Sequence, residues 1–126
     1  MARILVLILS CIPVSVWALG LGQIELHSAL NQPLDAEIKL SGVNLEESES
    51  IKIGLGSAAD FAQVNLARPY WLSNLRFKLI NKGDASYIKV TTHGAVTEPY
   101  VSFLMVMEAP DGRLSKQYAV LLDPPV

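Results

Sequence analysis

The 126-residue chain has little of several things that usually announce a function. It has one cysteine, Cys11, so no disulfide can form within it and no thiolate metal cluster can be built. Histidine occurs twice, as His27 and His93, and neither has a cysteine, an aspartate or a second histidine at a metal-ligand spacing along the chain. No glycine-rich phosphate loop, G-x-S-x-G turn or paired catalytic carboxylates can be found. Neither sign of charge dominates: ten basic and twelve acidic residues give a net charge of −2, which offers nothing to a nucleic acid. The longest apolar run also falls short of the ~20 residues needed to span a bilayer.

That run lies at the start. Met1-Ala2-Arg3 is short and basic, and Ile4 to Val16 is apolar apart from Ser10, Pro13 and Ser15. Val16-Trp17-Ala18 then offers the small residue that a signal peptidase reads. Residues 1–18 are therefore expected to be a secretory signal peptide cleaved after Ala18, and the chain's contact with membrane is expected only before that cut. The rival reading, a lipoprotein lipidated at Cys11, is disfavoured because bulky Leu9 stands where a small residue is usual. Export would leave residues 19–126 without a cysteine and, with Arg3 gone, at a net charge of −3. Such a domain has to be held by its core alone, and about a hundred residues suffice for one.

The remainder is strongly patterned. Leu34, Ala36, Ile38 and Leu40 alternate with Asp35, Glu37 and Lys39, the period of a half-buried strand, just after a turn at Leu30-Asn31-Gln32-Pro33. Gln23–Ser28 reads as a strand before it, and Ile51, Ile53 and Leu55 mark one after it. Between them, Asn44 and Glu47 suit a single capped helical turn. Ser57 with Asp60 reads as an N-cap box opening a short helix to Val64, with Phe61 and Val64 pressed on a sheet. Pro69 cannot continue that helix.

Leu75–Ile80 and Tyr87–Thr92 read as a hairpin across Asn81-Lys82-Gly83-Asp84, with His93 opening a loop. Val101–Met107 is nearly continuous in apolar residues, as in a mid-sheet strand, and Pro110-Asp111-Gly112 turns it back into Leu114–Leu122. Asp123-Pro124-Pro125 ends the fold, so the domain is expected over 19–123 with a proline-rich linker beginning at 124–126. About seven short strands at spacings of roughly ten residues, with one short helix, predict an all-β, immunoglobulin-like antiparallel sandwich. The alternative is an α+β domain whose helix covers one open sheet.

Ser28 follows His27 directly, but strand neighbours point to opposite faces, so they make no nucleophile–base pair. No enzyme, cofactor or metal is expected. Binding has two candidate stretches: Tyr70-Trp71 as an aromatic platform, and Glu98-Pro99-Tyr100 as a loop tip. A packing role is favoured for Trp71, plugging one end of the sandwich, and Tyr100 has the alternative of tucking under a sheet edge. The charges Asp35/Glu37/Lys39 and Arg76/Lys78 read as water-facing sides of strands that also discourage edge pairing.

Three stretches together carry a resemblance: LGLGQIELHSALNQPLDAEI at residues 19–38, Arg68-Pro69, and Gly112-Arg113-Leu114 running into YAVLLDPP at 118–125. They resemble the N-terminal periplasmic domain of the FimV-type polar-organising proteins, called HubP in vibrios. The resemblance covers the chain after the leader, with Ala109 departing from it where an aromatic is expected. It implies a Gram-negative periplasmic location and a part in type IV pilus assembly, twitching motility, secretion-system placement and cell-pole organisation. In that family a peptidoglycan-binding LysM module, a membrane helix and an acidic cytoplasmic part follow this domain. The expectation is thus a truncated or stand-alone copy. It would be a non-catalytic interaction scaffold whose partners are envelope proteins of the pilus or secretion machinery, with peptidoglycan or another glycan as the alternative ligand.

Overall fold

A computed structural model describes residues 20–43, 48–82, 85–110 and 112–125. The expected signal peptide, its cleavage after Ala18 and the capped turn at Asn44–Glu47 lie outside the described residues. Seven strands form: β1 Gly20–Leu26, β2 Pro33–Ser41, β3 Lys52–Leu55, β4 Arg76–Lys82, β5 Ala85–Ala95, β6 Tyr100–Ala109 and β7 Gly112–Leu121. One helix, α1 Ala58–Gln63, and 3₁₀ turns at Ser48–Ser50 and Tyr70–Asn74 complete the order. The strands make two antiparallel sheets, β1-β2-β5-β4 and β3-β6-β7. They close on each other as an immunoglobulin-like sandwich, so the α+β alternative fails: the partner of each sheet is the other sheet.

The alternation in β2 is the reason. Leu34, Ala36, Ile38 and Leu40 are all buried, and Ile88 and Val90 of β5 join them across the register Ile38↔Ile88 and Ala36↔Val90. From the other sheet come Val101, Phe103, Met105 and Met107 of β6 with Tyr118 and Val120 of β7. Phe103 bridges the layers, its ring 5.9 Å from Phe77 of β4 and 5.9 Å from Tyr118. Each such side chain taken out of water contributes about 1.5–3 kcal/mol. The unbroken apolar run of β6 follows from cover on both faces: Leu104 and Val106 on its second face are buried too, with Gly56 at the approach to α1 lying over Leu104.

Helix α1 begins as its sequence demands. Ser57 Oγ accepts from the Asp60 amide and Asp60 Oδ2 accepts from the Ser57 amide, a reciprocal capping box. Its far end corrects the expectation. The helix ends at Gln63 with Val64 as its C-cap, within a residue of the expectation, but Val64 is 47% exposed and does not press on the sheet, while Phe61 alone is buried. Asn65, at φ 55°, turns the chain out of the helix in the left-handed region directly after Val64. A second correction concerns His93, which sits exposed within β5 and not at the start of a loop, because β5 runs on to Ala95 and pairs with Pro33 of β2. The β6–β7 connection forms where expected, with Ala109 paired to Gly112, whose φ of 151° suits glycine.

Candidate functional site

Two segments predicted from sequence as binding candidates meet at one end of the sandwich. After Asn65 the chain is pinned by the Leu66 amide donating to Phe61 O (3.0 Å) and by Arg68 Nε donating to Gly56 O (3.0 Å). The Arg68 guanidinium also lies 5.6 Å from the centre of the Phe61 ring. Pro69, at φ −61°, then caps the 3₁₀ turn Tyr70–Asn74. Leu72, fully buried, anchors that turn in the core. Its geometry sends Tyr70 into solvent, 89% exposed, and leaves Trp71 half-buried against the core cluster.

The facing segment is held as firmly. Val96 N donates to Gln32 O and Val96 O accepts from the Asn31 amide, both at 2.9 Å. Pro99 O accepts from the Leu122 amide at 2.7 Å. Glu98-Pro99-Tyr100 is thereby fixed at the entry to β6, all three exposed. Between the two segments lies a groove of about 380 Å³ walled by Leu66, Pro69, Trp71, Glu98 and Tyr100. A second hollow of about 290 Å³ shares Trp71 and Glu98 and opens towards Thr92 and Thr97. Trp71 thus packs on the core and lines the groove at once. Tyr70 and Pro99 line neither hollow.

Sequence reasoning missed Leu121. It is 68% exposed and is the cross-strand partner of Tyr100, itself 57% exposed, so the two form a continuous apolar surface beside the groove. The signal for it lies in alternation: Val120 and Leu122 on either side are buried, which turns Leu121 outward. The combination of aromatic walls, apolar flank and a single carboxylate suits recognition of a surface or an extended chain.

Elsewhere the polar chemistry is largely structural. Arg113 Nη2 lies 2.6 Å from Asp60 Oδ2, and this bond, with those to Ser57, holds the Asp60 carboxyl down at about 2. The same contact raises the Arg113 guanidinium. Ser28 Oγ accepts from the Asp35 amide, so it is already engaged. His27 differs from expectation. Its Nε2 lies 3.6 Å from Glu37 Oε2, and donor atoms of Glu25, His27 and Glu37 all lie within 4.8 Å of one another. Spacing along the chain could not show this, because Glu37 comes from the neighbouring strand.

The model of the FimV N-terminal Ig-like domain matches residues 19–125. The chain belongs to that family. It is 46% identical over 109 residues to the motility hub protein FimV of Pseudomonas aeruginosa strain PAO1, and equally to that of strain UCBPP-PA14. Each match covers 86% of this chain and 12% of the relative, so the chain spans about an eighth of the length of these FimV proteins. No solved structure matches it significantly. Residues 19–38 and the strand-to-proline ending that carried the resemblance both fall within the matched residues; Gly20–Ile38 spans β1 and the first part of β2, and the ending lies in β7 and the tail.

Proposed function

We propose that this FimV-type domain is a non-catalytic periplasmic interaction module, exported by residues 1–18, that docks an envelope protein of the pilus or secretion machinery. Its contribution to type IV pilus assembly, twitching motility and cell-pole organisation is that of a scaffold. The observation that carries the reading is the exposed Tyr100–Leu121 pair beside the groove walled by Trp71 and Glu98. Large apolar side chains left in water, on a backbone fixed by hydrogen bonds, are what a pre-organised protein interface offers. The relatives' description as motility hub proteins supports the same reading.

A photo-crosslinkable residue placed at Tyr100, at Tyr70, and at Lys78 on the other sheet tests it in cells. A discrete envelope protein captured from position 100, and not from 78, is expected. Equal capture from both, or none from either aromatic position, overturns the docking surface. Glycan binding is the second reading, favoured by the aromatic walls and the Glu98 carboxylate within one groove. Retention of the chain on purified peptidoglycan sacculi, lost in Tyr100→Ala, supports it. Tyr100 serves this test better than half-buried Trp71, whose removal also disturbs the core.

A further inference from the structure

We propose that Glu25, His27 and Glu37 hold a divalent transition-metal ion of the zinc class on the outer face of the four-stranded sheet. Glu25 lies on β1 and His27 directly follows its last residue, Leu26, with the chain still bonded to β2, so the two side chains come from the same edge. Glu25 pairs directly with Glu37 of β2, and the His27 amide donates to Asp35 O at 2.8 Å, which keeps the two strands together past the histidine. One imidazole nitrogen and two carboxylates are thereby placed on a hydrogen-bonded, rigid floor.

The distances suit the ion. Zinc takes imidazole nitrogen and carboxylate oxygen at about 2.0–2.2 Å in a tetrahedron, which sets its donors about 3.4 Å apart. Here the donors lie within 4.8 Å, and the His27–Glu37 pair is already at 3.6 Å. Side-chain rotation closes the remainder without moving the backbone. Glu25 and His27 are exposed, so the fourth position opens to solvent and takes water or a donor from another molecule.

The charges point the same way. Two carboxylates directly opposed across a strand pair repel each other. Among the described residues no basic side chain pairs with Glu25. Among the described residues the basic side chain ion-paired with Glu37 is Lys89 of β5, whose Nζ lies 3.7 Å from Glu37 Oε1 but nearer, 3.1 Å, to Asp35 Oδ1, while Lys39 lines the same shallow hollow as Glu25 and Glu37. Lys89 can therefore stay on Asp35 when an ion takes Glu37. A neutral imidazole with two carboxylates carries the charge of −2 that a divalent ion cancels. An imidazole among three donors selects against calcium and magnesium, which want six or more oxygens.

Titration of the purified, untagged chain with zinc chloride at neutral pH, by calorimetry and by NMR of the two histidine rings, tests the site. One-to-one saturation is expected, with the His27 signals shifting and those of His93 unmoved, and with no such shift from calcium at the same concentration. His27→Ala and the Glu25→Gln/Glu37→Gln double variant should lose the saturable binding while melting as the unaltered chain does, and Lys89→Met should tighten it several-fold. Absence of saturable binding, a shift of His93 in place of His27, or a His27→Ala chain that binds as before overturns the proposal.

Discussion

Gly22 shows how one residue shapes the edge of this sandwich. The β1–β2 register slips between Leu21 and Ile24, and a Cβ on Gly22 would lie 3.1 Å from Lys39 O, so any side chain there would require the strands to part by a few tenths of an ångström at the slip. The carbonyls left over there are taken by the other sheet. Tyr118 Oη donates to Gly22 O at 2.8 Å, and Lys116 Nζ donates to Leu21 O at 3.2 Å and to Gly22 O at 3.4 Å. Tyr118→Phe keeps the ring stacked on Phe103 and removes only the hydroxyl, so it should cost about 1 kcal/mol in urea unfolding. Burial pushes the Tyr118 phenol up to about 12. An acid whose folded pKa is raised stabilises the fold while it stays protonated. The contribution is therefore present below the ordinary tyrosine value of about 10 and is lost as pH climbs from there through about 12. The gap in stability between the unaltered chain and Tyr118→Phe should narrow over that range.

At the scale of elements, what the sequence shows depends on how local the cause is. The α1 start was legible because its capping box is closed by residues three apart, and β2 and β6 because alternation and an unbroken apolar run report directly on one or two covered faces. The exposure of Val64 was not legible: Asn65 turns the chain in the left-handed region just after it, and nothing marked Asn65 over its neighbours. The five-residue turn at Tyr70–Asn74 is too short for a period to show, though it decides which aromatic faces water. The pairing of Tyr100 with Leu121, and of Glu25 with Glu37, is a matter of register between strands, and register is fixed only when the sheets assemble. Predictions at this scale concern α1. Ser57→Ala should cost about 1 kcal/mol in chemical denaturation through loss of the cap. Asp60 also answers to Arg113, which ties α1 to β7. Its carboxyl is held at about 2, below the ordinary 3.8, so its stabilising effect is present above about 4 and is lost as pH falls towards 2. Asp60→Asn should thus melt lower than the unaltered chain at neutral pH, and the two melting curves should converge in acid.

For the whole molecule, the side chains that seal the sheets and the exposed Tyr100–Leu121 pair proposed to recognise a partner are separate sets, and that separation can be measured. Phe103 is fully buried and touches rings from both layers, so its interactions exist only when the sandwich is closed. Removing it leaves a cavity that neither sheet can fill alone, and Phe103→Ala should cost about 3–5 kcal/mol. That is a large part of the roughly 5–15 kcal/mol that holds a domain of this size, here without a disulfide among the described residues. Tyr100 and Leu121 lie at the other extreme, paired on the outer face with most of their surface already in water. Folding gains little from them, so a Tyr100→Ser/Leu121→Ser chain should unfold within about 0.5 kcal/mol of the original, as surface substitutions do. The same double change removes the apolar flank of the groove. A crosslinker at position 70, between the groove residues Pro69 and Trp71 in sequence and untouched by the substitutions, should then lose its captured protein. Capture that persists at full strength on a stably folded double variant would show that the partner grips the molecule elsewhere.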